Sequence, residues 1–162
     1  MLMWSSSKIK GLTLIELLVS IVIISILASV AMPYAEISVR RNQELELRRS
    51  LREIRSAIDD FHADWRDGKI PVWSGKASDY GFPRELHQLV EGMQLDDGRL
   101  KRYLRRIPRN PLSEQGSDVT EQWLLRGYED SIDNKTWNGK DVYDVRAPSD
   151  RQALDGSWYR DW

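Results

Sequence analysis

The side chains that most often do chemistry in proteins are scarce in this sequence, and no catalytic group is recognisable. The 162 residues include no cysteine and two histidines, which excludes thiol catalysis, cysteine-based metal centres and multi-histidine metal sites. We predict that His62 lies on a helix surface and His87 beside a short helix. Adjacent carboxylates such as Asp59 and Asp60 face different sides of a helix, so they cannot form an acid–base pair. We therefore expect that the protein is not an enzyme.

One group of oxygen-bearing side chains could bind a cation. It comprises Ser149, Asp150, Asp155 and Asp161. Calcium takes six to eight oxygen ligands of this mixed kind, from carboxylates and backbone carbonyls. Two arginines, Arg151 and Arg160, lie within the group and oppose cation binding, so a hydrated turn is the alternative explanation. If calcium binds here, Asp150 and Asp155 are the expected ligands.

The charges of the sequence are nearly balanced in number but clustered in places. Lys plus Arg number 24 and Asp plus Glu 25, which gives a net charge of −1. Phosphate binding needs a positive surplus, so we expect no nucleic acid among the partners. The densest basic cluster comprises Lys101, Arg102, Arg105 and Arg106. We predict that this basic cluster is a solvated surface, with a contact to another subunit or to lipid headgroups as the alternative.

An apolar segment near the start of the sequence has the length of a membrane span. Residues 17–35 contain no charged side chain. As an α-helix this segment is about 28 Å long, which matches a bilayer hydrocarbon core of roughly 30 Å. Lys8 and Lys10 precede it, so we predict a single membrane pass with a cytoplasmic N-terminus. A cleaved secretory signal is the alternative, but the segment exceeds the usual apolar length and lacks a clean cleavage site.

Glu16 is a carboxylate at the edge of the apolar segment, where a charge is costly and indicates function by default. From position alone it could equally mark a helix end. The surrounding string GLTLIELLV, residues 11–19, resembles the class III signal sequence of type IV pilins and of the pseudopilins of type II secretion. The resemblance implies that a prepilin peptidase cuts after Gly11 and methylates Leu12. It also implies that Glu16 directs assembly and that Pro33 kinks the helix.

The residues after the apolar segment predict a helix of a different kind. Residues 36–67 are rich in charges and contain no glycine or proline. Apolar side chains recur there every three or four positions and form one stripe: Leu47, Leu51, Ile54, Ile58, Phe61 and Trp65. Three heptads are short for a coiled coil, so we predict that this stripe packs against the rest of the chain.

The remaining residues predict loops, a short helix opening at Pro83, and strands at 120–127 and 141–147. Several segments in this part resemble major pseudopilins: residues 80–86, residues 100–111, and residues 153–159 with Trp162, the last resembling the general secretion pathway protein G type. The resemblance implies an α+β, pilin-like fold in which a long N-terminal helix packs on a small antiparallel sheet. It also implies a calcium ion in the loop that holds Asp155.

The predicted organisation has four parts. Residues 1–11 form a cleaved cytoplasmic leader, 12–35 the membrane and fibre-core half of the helix, 36–67 its amphipathic half, and 68–162 a periplasmic head. The resemblance implies a structural subunit of a periplasmic pseudopilus, a piston or scaffold in type II secretion at the bacterial inner membrane. A type IV pilin for adhesion or motility is the first alternative, although pilins often carry a disulfide loop. A membrane-anchored periplasmic binding module or enzyme is the second.

The resemblance also implies the partners of the chain. Many copies would assemble into a helical homopolymer after the prepilin peptidase has acted, and the apolar helix would lie in membrane lipid before assembly. Minor pseudopilins and the inner-membrane secretion platform complete the expected set.

We predict that the mature protein begins at Leu12. Intact-mass measurement of the protein purified from membranes decides this, because cleavage after Gly11 and methylation give one defined mass. A mass that begins after Ala31 would instead mean that the apolar helix is a discarded secretory signal.

Overall fold

The structure is a computed structural model and describes residues 12–71, 74–113, 116, 118–132, 134 and 136–162, without the side chains of residues 30–32. The chain divides into two compact units, Met1–Arg40 and Arg41–Trp162. The described elements, in chain order, are α1 (Leu14–Arg66), α2 (Gln88–Glu91), β1 (Met93–Gln94), β2 (Leu100–Lys101), β3 (Leu124–Arg126), β4 (Asp144–Arg146) and a 3-10 helix (Tyr159–Asp161). This is the α+β, pilin-like fold that the sequence predicts.

Helix α1 contains 53 residues and contributes to both units. It ends where the sequence predicts, since Gly68 adopts a φ of 72° and donates its N–H to the carbonyl of Trp65 at 2.9 Å. Left-handed backbone of this kind is the common helix terminator, and glycine adopts it without a steric penalty. Pro33 lies inside α1, where its missing N–H leaves the carbonyl of Ser29 without the usual backbone donor.

The core of the second unit is built on one face of α1. The apolar stripe is buried there, with exposures of 0–2 % at Leu47, Leu51, Ile54, Ile58 and Phe61. Trp65 is partly buried against the same core. Burying a side chain of this size stabilises a fold by about 1.5–3 kcal/mol, so the stripe accounts for much of the stability of the head. The prediction that the stripe packs within the chain is confirmed.

The rest of the chain covers this stripe mainly with side chains from loops and short elements. The principal buried partners are Leu86, Leu89, Met93, Leu104, Trp123, Val142, Val145 and Tyr159. Trp123 also donates its indole N–H to the carbonyl of Pro108 at 3.0 Å, which satisfies the polar end of a nearly buried ring.

The described strands form two small antiparallel sheets, whereas we predicted one. Strands β3 and β4 pair in the predicted segments, with Leu125 opposite Val145. Strands β1 and β2 pair with Met93 opposite Lys101, in a segment for which the sequence predicts no strand. Asp97-Gly98 closes this hairpin, and Asp-Gly is a strong hairpin signal. The signal was present, but strands of two residues leave no alternating pattern to accompany it.

The predicted short helix begins later than expected. Pro83 is extended, pairs with Ala77 as an isolated bridge, and accepts a 2.7 Å hydrogen bond from the backbone N–H of Val142. The backbone N–H of Arg84 donates to the side chain of Gln88 at 3.0 Å. Because these groups are committed to other contacts, helical hydrogen bonding starts only at α2.

The aromatic rings beside the end of α1 are stacked. The His62 ring lies 4.4 Å from Phe82 and 5.8 Å from Trp65, with interplanar angles of 10° and 21°. His62 is therefore half-buried in a ring stack, which corrects the prediction of a plain surface position. Gly81 passes directly over Trp65 with a φ of 81°.

We predict that Gly81→Ala destabilises the protein by about 2–5 kcal/mol, because it combines a strained backbone with overpacking. An added Cβ would lie 2.2 Å from the Trp65 ring. Gly75→Ala is the matched control: its φ is also positive, at 65°, but no atom lies within 4 Å of the added Cβ. Its expected loss is about 1–2 kcal/mol. Chemical denaturation of the full chain in detergent measures both, and equal losses would contradict the clash with Trp65.

Candidate assembly site on the N-terminal helix

The first turn of α1 is capped by Thr13. The Thr13 hydroxyl oxygen accepts the backbone N–H of Glu16 at 3.3 Å, and its carbonyl accepts the N–H of Leu17 at 3.1 Å. A threonine followed three residues later by a glutamate is the capping-box pattern, which satisfies N–H groups that a helix start leaves unpaired. The Glu16 carboxylate also lies at the positive end of the helix dipole, where an acid is favourable. This cap was not predicted, although the Thr-x-x-Glu pattern is present in the sequence.

The helix beyond this cap exposes apolar side chains all round. Large apolar residues from Leu12 to Val39 are exposed at every described position, for example Leu14 at 79 % and Ile24 at 63 %. Within the described residues, α1 is long and apolar enough to cross a membrane, and none of its most apolar stretch is buried. Such a surface is unstable in water, so lipid or other apolar helices must cover it.

The hydroxyl groups in this segment are satisfied within the helix. Ser20 donates to the carbonyl of Glu16 at 2.6 Å, Ser25 to that of Ile21 at 2.8 Å, and Ser29 to that of Ile26 at 2.7 Å. A polar group without a partner is costly in an apolar medium, and these bonds remove that cost. The serines therefore do not oppose burial of the helix in lipid or in a helical bundle.

Glu16 is the one charged residue between Leu12 and Ala35. It is exposed, and within the part of the chain that the structure describes no ion pair holds its carboxylate. Leu12 is also exposed, whereas Gly11 lies outside the described residues. The structure thus places Leu12 and Glu16 at the same helix end, and the roles of Gly11, Leu12, Glu16 and Pro33 stay predictions.

The predicted basic cluster is divided between two environments. Lys101 pairs with the nearly buried carboxylate of Asp64, which also accepts hydrogen bonds from Lys69 at 3.1 Å and from the Tyr103 hydroxyl at 3.0 Å. The other three members are exposed: Arg102, Arg105 and Arg106. The solvated surface that we predicted therefore excludes Lys101, which belongs to a structural network that joins α1 to β2.

The Asp64 network shifts the protonation of its members. Burial by itself raises the pKa of Asp64, but the hydrogen bonds from Lys101, Lys69 and Tyr103 outweigh it and lower the pKa. Burial and the neighbouring carboxylate raise the pKa of the Tyr103 hydroxyl. The folded state therefore favours an ionised Asp64, and low pH should lower the stability of the folded state.

Each of the two predicted calcium ligands forms an ion pair with an arginine. Asp155 pairs with Arg48 at 2.9 Å, and Asp150 pairs with Arg160 at 2.9 Å. No group of three acidic, histidine or cysteine side chains able to hold a metal ion occurs among the described residues. The donor set present does not fit calcium, because each carboxylate already faces a positive charge. Calcium binding stays an untested prediction that these contacts oppose.

A packed α+β unit and an exposed apolar helix with one acidic residue in its first turn fit a membrane-anchored, pilin-like protein. Residues 6–32 match the family model described as the prokaryotic N-terminal methylation motif, which is typical of type IV pilin-like proteins and pseudopilins. The motif family is structural rather than enzymatic, and it implies processing by a prepilin peptidase and pilus-like assembly. No curated protein and no solved structure matches the sequence.

We predict that Asp64→Asn lowers the free energy of unfolding by about 1–3 kcal/mol at pH 7, since it weakens the bonds to two lysines. The folded-state pKa lies below the ordinary value of 3.8, so this stabilisation is complete above that value and disappears as the pH falls through the folded-state pKa. Denaturation from pH 7 to pH 2 measures the difference. Asp67→Asn is the control, because Asp67 bonds Lys69 at an exposed position and its loss should change little. A constant gap down to pH 2 would contradict the assignment.

Proposed function

We propose that the chain is the structural subunit of a periplasmic pseudopilus, which acts as a piston or scaffold in type II protein secretion. The observation that carries the proposal is the helix α1, which buries a stripe in a folded head with one half and leaves its other half apolar on all sides. Neither an enzyme nor a soluble binding protein needs such a surface. A fibre subunit does, because the same helix must reside first in lipid and then among copies of itself.

Bundling removes the cost of leaving the membrane. An apolar helix cannot enter water alone, because each Å² of apolar surface exposed costs about 25 cal/mol. Neighbouring copies keep that surface covered during transfer from lipid to fibre. The internal hydrogen bonds of Ser20, Ser25 and Ser29 suit both environments equally.

Glu16 supplies the specificity that apolar contact lacks. Cleavage after Gly11 creates a positive α-amino group on Leu12, next to the Thr13 cap and therefore at the positive end of the helix dipole. We propose that Glu16 of one subunit pairs with the Leu12 amine of its neighbour, and that methylation of the amine preserves the charge. A charge left unpaired in an apolar bundle costs about 3–5 kcal/mol, so this pairing would set the axial register of the subunits.

Two other functions are consistent with the motif. A type IV pilin for adhesion or motility shares the helix, but many pilins close a loop with a disulfide and this sequence contains no cysteine. A membrane-anchored binding module or enzyme would need a ligand site in the head. Substituting Gly11 separates these classes, because a fibre subunit would retain its leader and fail to assemble, whereas a simply anchored protein would keep its function.

We predict that Glu16→Ala is still cleaved at Gly11 and still resides in the membrane, but fails to form fibres and to support secretion. Glu16→Gln is the matched variant, because glutamine keeps the capping-box geometry and removes only the charge. If charge pairing is the role of Glu16, both variants lose assembly. Intact mass, membrane fractionation and electron microscopy of fibres measure the three steps.

Two outcomes would contradict this role for Glu16. Assembly by Glu16→Gln but not by Glu16→Ala would reduce Glu16 to a helix cap. Wild-type assembly by both variants would leave it as a marker of the helix end. A third result concerns the class of protein. If the wild-type protein forms fibres but its deletion leaves secretion unchanged, the pilin alternative is favoured.

A further inference from the structure

Residues 153–162 are held on α1 by three polar side chains of the helix. These are Glu44, Arg48 and Arg55, which contact residues 107 to 115 positions further along the chain. Their spacings of four and seven place them on one face of the helix, beside the buried stripe. The same helix face thus combines apolar packing with a row of charged anchors.

Arg48 makes two contacts with this segment. Its guanidinium donates to Asp155 Oδ2 at 2.9 Å, and its Cζ atom lies 3.7 Å from the centre of the Trp162 ring. The Trp162 indole N–H in turn donates to the Ser157 hydroxyl at 2.7 Å. A planar guanidinium can stack on an indole and bind a carboxylate at the same time, which a lysine cannot.

Asp155 is fully engaged by these neighbours. Its Oδ1 accepts the backbone N–H of Ser157 at 2.9 Å and the Ser157 hydroxyl at 2.6 Å, while Oδ2 faces Arg48. The Ser157 bonds and the Arg48 charge lower the pKa of Asp155, so the carboxylate stays ionised. Asp150 does not contribute, because it is 87 % exposed and pairs separately with Arg160.

Glu44 and Arg55 complete the attachment from either side of Arg48. The Glu44 carboxylate accepts the backbone N–H of Leu154 at 2.7 Å and the hydroxyl of buried Tyr159 at 2.8 Å. Arg55 donates to the carbonyl of Trp162 at 2.7 Å and to Asp144 at 2.7 Å. Each anchor holds a different part of residues 153–162. The attachment of this segment to α1 is therefore made by protein groups alone.

We infer that Arg48 takes the place of a divalent cation in this loop, so that the segment 153–162 closes on α1 through a metal-independent clasp. The Arg48 clasp comprises Arg48, Asp155, Ser157 and Trp162. The guanidinium supplies the positive charge that Asp155 needs, and its stacking on Trp162 adds contact area that a bare ion pair at the surface lacks. The head should therefore keep its stability when divalent cations are removed.

The first test compares the full chain in detergent with calcium and with a chelator. Thermal unfolding followed by tryptophan fluorescence should give the same midpoint in both conditions. An increase of the midpoint with calcium concentration would overturn the inference, because a ligand that binds the folded state raises its stability by mass action.

The second test removes the guanidinium. Arg48→Gln should lower the midpoint by about 3 °C. It should also raise amide exchange several-fold at Ser157, whose N–H bonds Asp155 inside the clasp, and at Leu154, which directly precedes Asp155 and whose N–H bonds Glu44. Arg160→Gln is the matched control, since it removes an arginine–aspartate pair outside the clasp. It should leave exchange at both amides unchanged.

Equal exchange in the two variants would overturn the inference. If Arg48→Gln does not fold, Arg48→Lys gives the same comparison, because it keeps the charge and loses the planar stack on Trp162. Faster exchange at Leu154 and Ser157 in Arg48→Lys supports the clasp, and wild-type exchange there contradicts it.

Discussion

The exposed apolar surface of the first half of α1 is the constraint that the rest of the structure has to satisfy. Between Leu12 and Val39 the described large apolar side chains are exposed on all sides of the helix. The hydrophobic effect makes this surface incompatible with water, so lipid or other apolar helices must cover it. The cap at Thr13 and the charge of Glu16 lie at the end of this apolar surface, and the head is the part of the chain that folds in water.

The second half of the same helix supports the fold of the head. Its apolar stripe organises a head whose described strands are only two or three residues long. Such strands cannot stabilise a fold alone, so the head depends on packing against α1 and on a few anchoring side chains. Asp64 joins α1 to β2, Arg55 joins it to β4, and Arg48 joins it to residues 153–162.

Local and periodic features were predictable from the sequence. The helix from the apolar segment to Gly68, the buried stripe and the two segments that contain β3 and β4 all follow from period and composition. The β1–β2 hairpin was missed because a two-residue strand has no period, and the late start of α2 depends on contacts that Pro83 makes with Ala77 and Val142. The pairing of Asp155 with Arg48 spans 107 positions, and no local pattern encodes a contact of that range. For the same reason no pattern in the sequence indicates that Asp155 faces an arginine of α1.

The shortness of the strands has a consequence for crowding. An exposed strand edge offers unpaired N–H and C=O groups to any other chain that comes close, and long edges lead to aggregation. Strands of two and three residues, each already paired on one side, offer very few such groups. In the proposed fibre, heads held at high local concentration would therefore meet through side chains, which can separate again, and would not fuse into a continuous sheet. If the proposed fibre acts as a piston, it must shorten again, and only side-chain contacts between heads would allow that.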